Sequence, residues 1–133
     1  IVHRIDKETS GLLAVAKNDA AHAALSEQLA TRTLKRTYTA LVWGTLKQKQ
    51  GTITGNIGRS TANRQKMAVL KTGGKPAVTH YKTVASFQSP VISLVECNLE
   101  TGRTHQIRVH FAHMGNALVG DPVYGGGTAN RIK

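Results

Sequence analysis

The chain has 133 residues, 40% of them apolar, and a formal net charge of +11 from 18 Lys and Arg against 7 Asp and Glu. This length predicts one domain with its own core, and no apolar run reaches the roughly 20 residues of a membrane span. The single cysteine excludes an internal disulfide framework and is compatible with a cytoplasmic location, which we expect. Basic residues are spread along the whole chain, which predicts a positive surface that attracts a polyanion, above all a nucleic acid.

The first part of the chain predicts a strand, a helix and a second strand. The apolar run 12–17 is typical of a buried strand. Residues 19–31 are rich in helix formers, and either Asn18 or Asp19 can cap this helix. β-Branched and aromatic residues then indicate a strand at Thr37–Trp43.

The rest of the chain predicts mainly strands. Glycines and basic residues dominate 45–75, where we predict short strands at 52–54 and 67–70 around a basic loop at 59–66. Strands at 77–87 and 91–99 and a helix at 104–114 follow, with Cys97 as a small buried strand residue. Because strands mostly follow one another without intervening helices, we predict an α+β domain, a mostly antiparallel mixed sheet with a few packed helices.

The first motif that can carry chemistry is 3–11, HRIDKETSG, in which Asp6 lies between Arg4 and Lys7. Nearby positive charge favours an ionised carboxylate, and a positioned carboxylate can act as a nucleophile. Glu8 lies too close in sequence to Asp6 for the carboxylate pair of a glycosidase, which needs a separation of roughly 5–10 Å. We interpret Glu8 as a solvated charge, and a glycoside hydrolase as the weakest alternative.

The second motif is 101–110, TGRTHQIRVH. Arg103 and the start of the following helix suit contact with an anion, because the first N–H groups of a helix point outward. Arg108 lies about one turn further on, and its burial would require a carboxylate partner, a need that Asp6 would fit. His105, His110 and His113 lie on or near this helix without a zinc-protease pattern, so we expect RNA contacts or packing and no metal site.

Together with Lys35–Tyr38, the two motifs resemble the RluA/RluD-type pseudouridine synthases, and the resemblance covers essentially the whole chain. Further matching stretches are 43–44, 57–69, 74–81 and 118–126. Of these, the loop in 57–69 and the final stretch 118–126 are most similar to the branch that modifies large-subunit ribosomal RNA. The resemblance implies that uridine is isomerised to pseudouridine, and the RNA expected as the substrate is 23S ribosomal RNA. This reaction changes no oxidation state, so no cofactor is expected.

The resemblance also implies residue roles. Asp6 matches the nucleophile, Tyr38 the tyrosine that packs on the target base, and Arg108 the arginine paired with the catalytic Asp. Arg4 matches the arginine that fills the gap left by the flipped nucleotide. The residues expected to contact RNA are Arg4, Lys7, Arg59, Arg64, Lys66, Arg103 and His105.

In this family more of the sheet precedes the Asp motif, often after a small RNA-binding domain, and further strands follow the last matching stretch. We therefore expect residues 1–133 to form a partial catalytic domain without those N-terminal and C-terminal portions. Residues 1–6 should be held only where they pair with the sheet or a neighbouring molecule. We expect the chain alone to bind RNA with weak or no turnover. The alternative is a basic RNA-binding module without catalysis.

Overall fold

The computed structural model describes residues 1–126. The run of three glycines at 125–127, which is typical of a loop, therefore extends beyond the described residues. The chain divides into two compact units, Ile1–Arg36 and a second unit that begins at Thr37. No helix in residues 1–126 is both long enough and apolar enough to cross a membrane.

The first unit contains one helix, α1, at Asp19–Ala30. Asn18 caps it, because its side-chain oxygen accepts a hydrogen bond of 2.8 Å from the Ala21 N–H. At the other end the Thr31 hydroxyl and N–H both donate to the Glu27 carbonyl oxygen. The helix predicted at 19–31 is therefore confirmed to within one residue.

The strand predicted at 12–17 is wrong. This segment is irregular, and Leu12 is 96% and Val15 57% exposed. A strand needs a neighbouring strand for its N–H and C=O groups, and residues 1–36 contain no strand. Within this unit the Ala14 N–H instead donates to His3 Nε2 at 3.1 Å. The apolar composition of 12–17 indicated a strand, but no strand in residues 1–36 is present to pair with it.

The second unit is a four-stranded antiparallel sheet with a separate hairpin and a helix, which confirms the α+β class. Its elements are β1 Thr37–Trp43, β2 Gln50–Thr54, β3 Ile57–Arg59, β4 Met67–Val69, β5 Val78–Gln88, β6 Val91–Leu99 and α2 Gln106–His113. The sheet order is β1-β6-β5-β2, and β3 pairs with β4 in a separate two-stranded sheet. The basic loop predicted from Arg59 is corrected at its start, because Arg59 ends β3 and pairs with Met67.

The main core lies between the sheet and α2. Alternation places Ala40, Val42, Val95 and Cys97 on one sheet face, where they form one buried cluster with Phe111 of α2. Cys97 is a fully buried strand residue, as predicted. Burial, with a smaller contribution from the Glu96 charge, raises the pKa of its thiol to about 12. Cys97 is therefore a packing residue and not a reactive thiol.

A second, smaller core lies beneath the hairpin of β3 and β4. It consists of Ile57, Ala77 and Val109, with Met67 and Tyr124 packed against it. Since Phe111 and Val109 belong to different clusters, α2 is shared between the two cores. One side of this short helix therefore packs against the sheet, and the opposite side packs against the hairpin.

The turn at Gly73 and Gly74 brings the chain against β3. Both residues have positive φ angles, of 79° and 74°. A Cβ at Gly74 would lie 3.0 Å from the backbone C and O of Ile57, whereas a Cβ at Gly73 would meet nothing within 4 Å. Ile57 and Lys75 exchange two backbone hydrogen bonds of 2.9 Å at this point.

We predict that G74A lowers the free energy of unfolding more than G73A does. Both changes force a side chain into the left-handed region, at a cost of about 1 kcal/mol each. Only Gly74→Ala adds a clash with backbone, which should bring a further loss of about 1 kcal/mol or more. Urea unfolding of the two variants measures the difference. Equal losses would show that the turn is not packed tightly against β3.

Candidate active site

A buried glutamine organises the start of α2. Gln106 is 3% exposed, and its amide nitrogen donates to the Val78 carbonyl (3.0 Å) and the Thr79 hydroxyl (2.9 Å). Its amide oxygen accepts from the Thr101 hydroxyl (2.7 Å) and the Arg103 N–H (3.0 Å). Every donor and acceptor site of the amide is used, so the side chain fixes α2 against β5 without an unpaired buried polar group.

The same network continues to a buried histidine. His110 Nε2 lies 3.1 Å from the Gly55 carbonyl oxygen, and Nδ1 lies 2.9 Å from the Thr79 hydroxyl. A carbonyl can only accept, so Nε2 carries the proton, and Nδ1 accepts from Thr79. Burial lowers the pKa of His110 below its ordinary value of 6.5; the Gly55 hydrogen bond opposes this effect and the nearby His113 charge adds to it. The geometry therefore suits a neutral imidazole.

Arg108 makes a two-pronged ion pair with Asp121. Arg108 Nε lies 2.8 Å from Oδ2, and Nη2 lies 3.1 Å from Oδ1. The side chains are 19% and 3% exposed, so the pair is largely removed from water. Such a fork-shaped contact fixes both the position and the plane of the guanidinium group.

Asp121 also closes the turn that follows it. Its Oδ1 accepts from the N–H groups of Val123 (2.9 Å) and Tyr124 (3.1 Å). Burial alone would raise the pKa of this carboxyl, but the hydrogen bonds from Arg108, Tyr124 and Val123 and the Arg108 charge outweigh burial, so the pKa lies below its ordinary value of 3.8. The carboxylate therefore stays ionised at neutral pH.

Tyr124 contacts three elements of the site. The Arg108 guanidinium carbon lies 5.0 Å from the centre of its ring, a cation–π contact. Its hydroxyl accepts from the Met67 N–H of β4 at 3.0 Å and lies 2.7 Å from His105 Nδ1. His105 has a φ of 56°, in the left-handed region, at the start of α2. A strained residue is thus held at this end of the helix by Tyr124.

The hairpin presents the basic residues expected to contact RNA. Arg59 and Arg64 are exposed and Lys66 is half-buried. Arg59 Nη1 donates to the Arg64 carbonyl at 3.2 Å, and the Ser60 N–H donates to the Lys66 carbonyl at 2.9 Å. These bonds gather the three basic residues at one hairpin tip. Arg103 is different, because its Nε already donates to the Pro76 carbonyl at 2.8 Å and its side chain is half-buried.

Tyr38 lies at the start of β1 and packs against the main core. It pairs across the sheet with the small Cys97, which in turn pairs with Tyr81 of β5. Among the described residues of the second unit, 37–126, no side chain or backbone group forms a hydrogen bond with the Tyr38 hydroxyl. A half-buried ring beside small neighbours can pack on a planar base while its hydroxyl stays available.

Asp6, Arg4 and Lys7 belong to the first unit. Asp6 is half-buried, whereas Arg4 and Lys7 are exposed. The Asp6 carbonyl accepts from the Thr9 N–H at 3.0 Å, which closes a turn directly after the residue. The expected pairing of Asp6 with Arg108 stays a prediction, since the two residues lie in different units.

Sequence reasoning missed Asp121, Tyr124 and Gln106. The first two lie in the matching stretch 118–126 but received no role. A signal was present for Asp121, because the chain has only 7 acidic residues from which a buried arginine can take a partner. No local pattern marks Gln106 as buried, since its four partners come from β5 and the segment before α2.

A sequence model described as RNA pseudouridylate synthase matches residues 1–113. The chain belongs to this family. The pseudouridine synthase YlyB of Bacillus subtilis (strain 168) is 56% identical over 125 residues, which are 94% of this chain and 40% of that protein. The ribosomal large subunit pseudouridine synthase D of Zymomonas mobilis is 54% identical over 126 residues, 94% of this chain and 39% of that protein.

A solved structure of this pseudouridine synthase family has the same fold. Human RNA pseudouridylate synthase domain containing 1 superimposes with a TM-score of 0.85 at 31% identity, over 97% of this chain and 56% of that chain. The two bacterial relatives are longer than this chain, which spans about two fifths of their length.

The buried histidine makes stability pH-dependent in a defined direction. Below pH 6.5 the unfolded chain binds a proton at His110 that the folded chain does not, because the folded pKa is lowered. The neutral His110 therefore makes its full contribution to the free energy of unfolding above pH 6.5. This contribution is lost as the pH falls from 6.5 towards the pKa of His110 in the folded chain.

We predict that His110→Gln makes the unfolding free energy less dependent on pH between 7 and 5. One proton gives a slope of at most about 1.4 kcal/mol per pH unit. Urea titrations at several pH values measure the slope, with His22→Gln, an exposed histidine of α1, as the control. Equal slopes in the wild type and His110→Gln would contradict a neutral, hydrogen-bonded His110.

Proposed function

We propose that the protein carrying this chain isomerises uridine in large-subunit ribosomal RNA to pseudouridine, with Asp6 as the nucleophile. The observation that carries the proposal is the family match over residues 1–113, a range that includes Asp6 and the first motif. Relatives at 52–54% identity are ribosomal large subunit pseudouridine synthases D, which supports this class of RNA as the substrate. The net charge of +11 supports RNA as the substrate.

The reaction needs no redox step. The bond between N1 of uracil and C1′ of ribose breaks, the uracil turns, and C5 joins C1′. The proton leaves C5 and N1 gains one, so atoms and electrons balance. The Asp6 carboxylate attacks either C1′ of the ribose or C6 of the base, and both routes require it to be ionised.

The freed uracil must be kept in place between the two bond changes. Tyr38 is suited to this role, because its ring lies at the edge of the core and would pack on the base. The target nucleotide must first leave its stack, at a cost of a few kcal/mol. Arg4 would fill the resulting gap, and phosphate contacts by Lys7, Arg103, His105 and the hairpin would offset the cost.

We predict that Asp6→Asn lowers pseudouridine formation by about 1,000-fold or more in the full-length protein, since an amide cannot replace the nucleophile. Release of tritium from uridine labelled at C5 in ribosomal RNA transcripts measures the reaction, because the product has the same mass as uridine but has lost the proton from C5. Glu8→Gln, an exposed acid two residues away, should retain activity. Pseudouridine formation by Asp6→Asn at the wild-type rate would refute the assignment.

An RNA containing 5-fluorouridine separates an enzyme from a simple binding module. An enzyme should convert or trap this RNA, and Asp6→Asn should do neither. Retention of RNA binding without conversion or trapping by the wild-type full-length protein would favour the module.

We also predict that the triple change R59A/R64A/K66A weakens RNA binding and its salt dependence. Each lost phosphate contact removes about 0.7 from the slope of log K against log salt for single-stranded RNA, so the slope should fall by about 2. The control is K47A/K49A/K82A, which removes the same charge from exposed positions outside the hairpin. Similar slopes for the two triple variants would show that general charge, and not the hairpin, binds RNA.

A further inference from the structure

The hairpin that carries Arg59, Arg64 and Lys66 forms a two-stranded sheet separate from the four-stranded sheet. β3 and β4 are three residues long each and pair only with each other as named strands. A two-stranded hairpin of this size is not stable by itself in water. Its position must therefore come from packing and from specific hydrogen bonds to neighbouring elements.

The Tyr124 hydroxyl makes one such bond at a key position. It accepts from the Met67 N–H at 3.0 Å, and Met67 is the cross-strand partner of Arg59. The bond therefore holds β4 at the residue that faces the first basic residue of the hairpin. The Tyr124 ring packs against the small core beneath the hairpin, so the hydroxyl sits at its margin.

The same hydroxyl reaches the start of α2. It lies 2.7 Å from His105 Nδ1, and the two rings meet edge to face with centres 5.5 Å apart. Met67 N–H is a donor, so the tyrosine oxygen accepts from it and remains able to bond His105 in either of the imidazole's protonation states. A single oxygen atom thus joins the hairpin to His105, the strained N-cap residue of the helix that carries Arg108.

The ring and the hydroxyl of Tyr124 serve different neighbours. The ring faces the Arg108 guanidinium at 5.0 Å, and the backbone N–H of Tyr124 is held by Asp121. Neither contact uses the hydroxyl. Removing the oxygen alone should therefore release the hairpin and His105 while Arg108 keeps both Asp121 and the aromatic ring.

From this geometry we propose that Tyr124 is a positioning residue that sets the basic hairpin relative to α2, so that RNA phosphates and the target uridine are held in one register. The inference rests on the proposed function for its substrate. Its structural part, the tie between β4 and α2, does not depend on that function.

The structural part is tested by hydrogen exchange on the chain itself. In Y124F the amide of Met67 should exchange about ten-fold faster, because a single hydrogen bond of ordinary strength is lost. The β6 amides, such as that of Val95, should keep their wild-type rates. Tyr81→Phe is the matched control, since it removes a buried hydroxyl that bonds the Gln48 carbonyl at 3.3 Å, away from the hairpin. Unchanged exchange at Met67, or faster exchange throughout the sheet, would overturn the tie.

The functional part is tested by steady-state kinetics of the full-length protein on ribosomal RNA transcripts. We expect Y124F to raise KM for RNA about five- to ten-fold with kcat within about two-fold, and Y81F to change neither. Y124L removes the ring from Arg108 as well and should lower kcat. A KM for Y124F equal to that of Y81F would overturn the positioning role. Absence of turnover in the wild type, with the exchange effect present, would refute the proposed function and leave the tie supported.

Discussion

The arrangement of the second unit depends on one carboxylate. Asp121 accepts four hydrogen bonds, two from Arg108 and two from the turn that it begins. In a chain with a net charge of +11, a largely buried guanidinium is destabilising unless a negative charge lies against it. Removal of one partner of a buried pair typically costs 3–5 kcal/mol. The ion pair therefore fixes Arg108 and Tyr124 at the same time.

The position of α2 follows from this pair and from the buried amide network. The helix has only eight residues and would not be stable alone. Its hydrophobic side chains enter two separate cores, and Gln106 and His110 bond to Val78, Thr79 and Gly55 between them. These polar contacts fix the rotation of α2 about its own axis and its distance from the sheet. The proposed function depends on this rigidity, because a cleaved base would have to be kept in place between the two bond changes.

The sequence predicted the parts of the fold that local patterns determine. β1 at Thr37–Trp43 and β6 at Val91–Leu99 were predicted with the observed bounds, because the β-branched, aromatic and apolar residues that indicate a strand lie within each of them. The strand at 12–17 was wrong because strand formation depends on a partner elsewhere in the chain. Arg108 was recognised as needing a carboxylate, yet Asp121 was overlooked, because a separation of 13 residues across a turn carries no periodic signal. The buried role of Gln106 depends on four partners and could not be predicted from its neighbours.

If Asp121 fixes the position of Arg108, the two side chains are energetically coupled and not merely adjacent. A double-mutant cycle on the chain, with Arg108→Gln, Asp121→Asn and the double variant, measures this coupling from urea unfolding at pH 7. Exposed ion pairs give about 0.2–1 kcal/mol in such cycles, whereas coupled buried contacts reach up to about 3 kcal/mol. We predict a coupling of about 2 kcal/mol or more. A coupling below about 0.5 kcal/mol would show instead that Arg108 is positioned without Asp121.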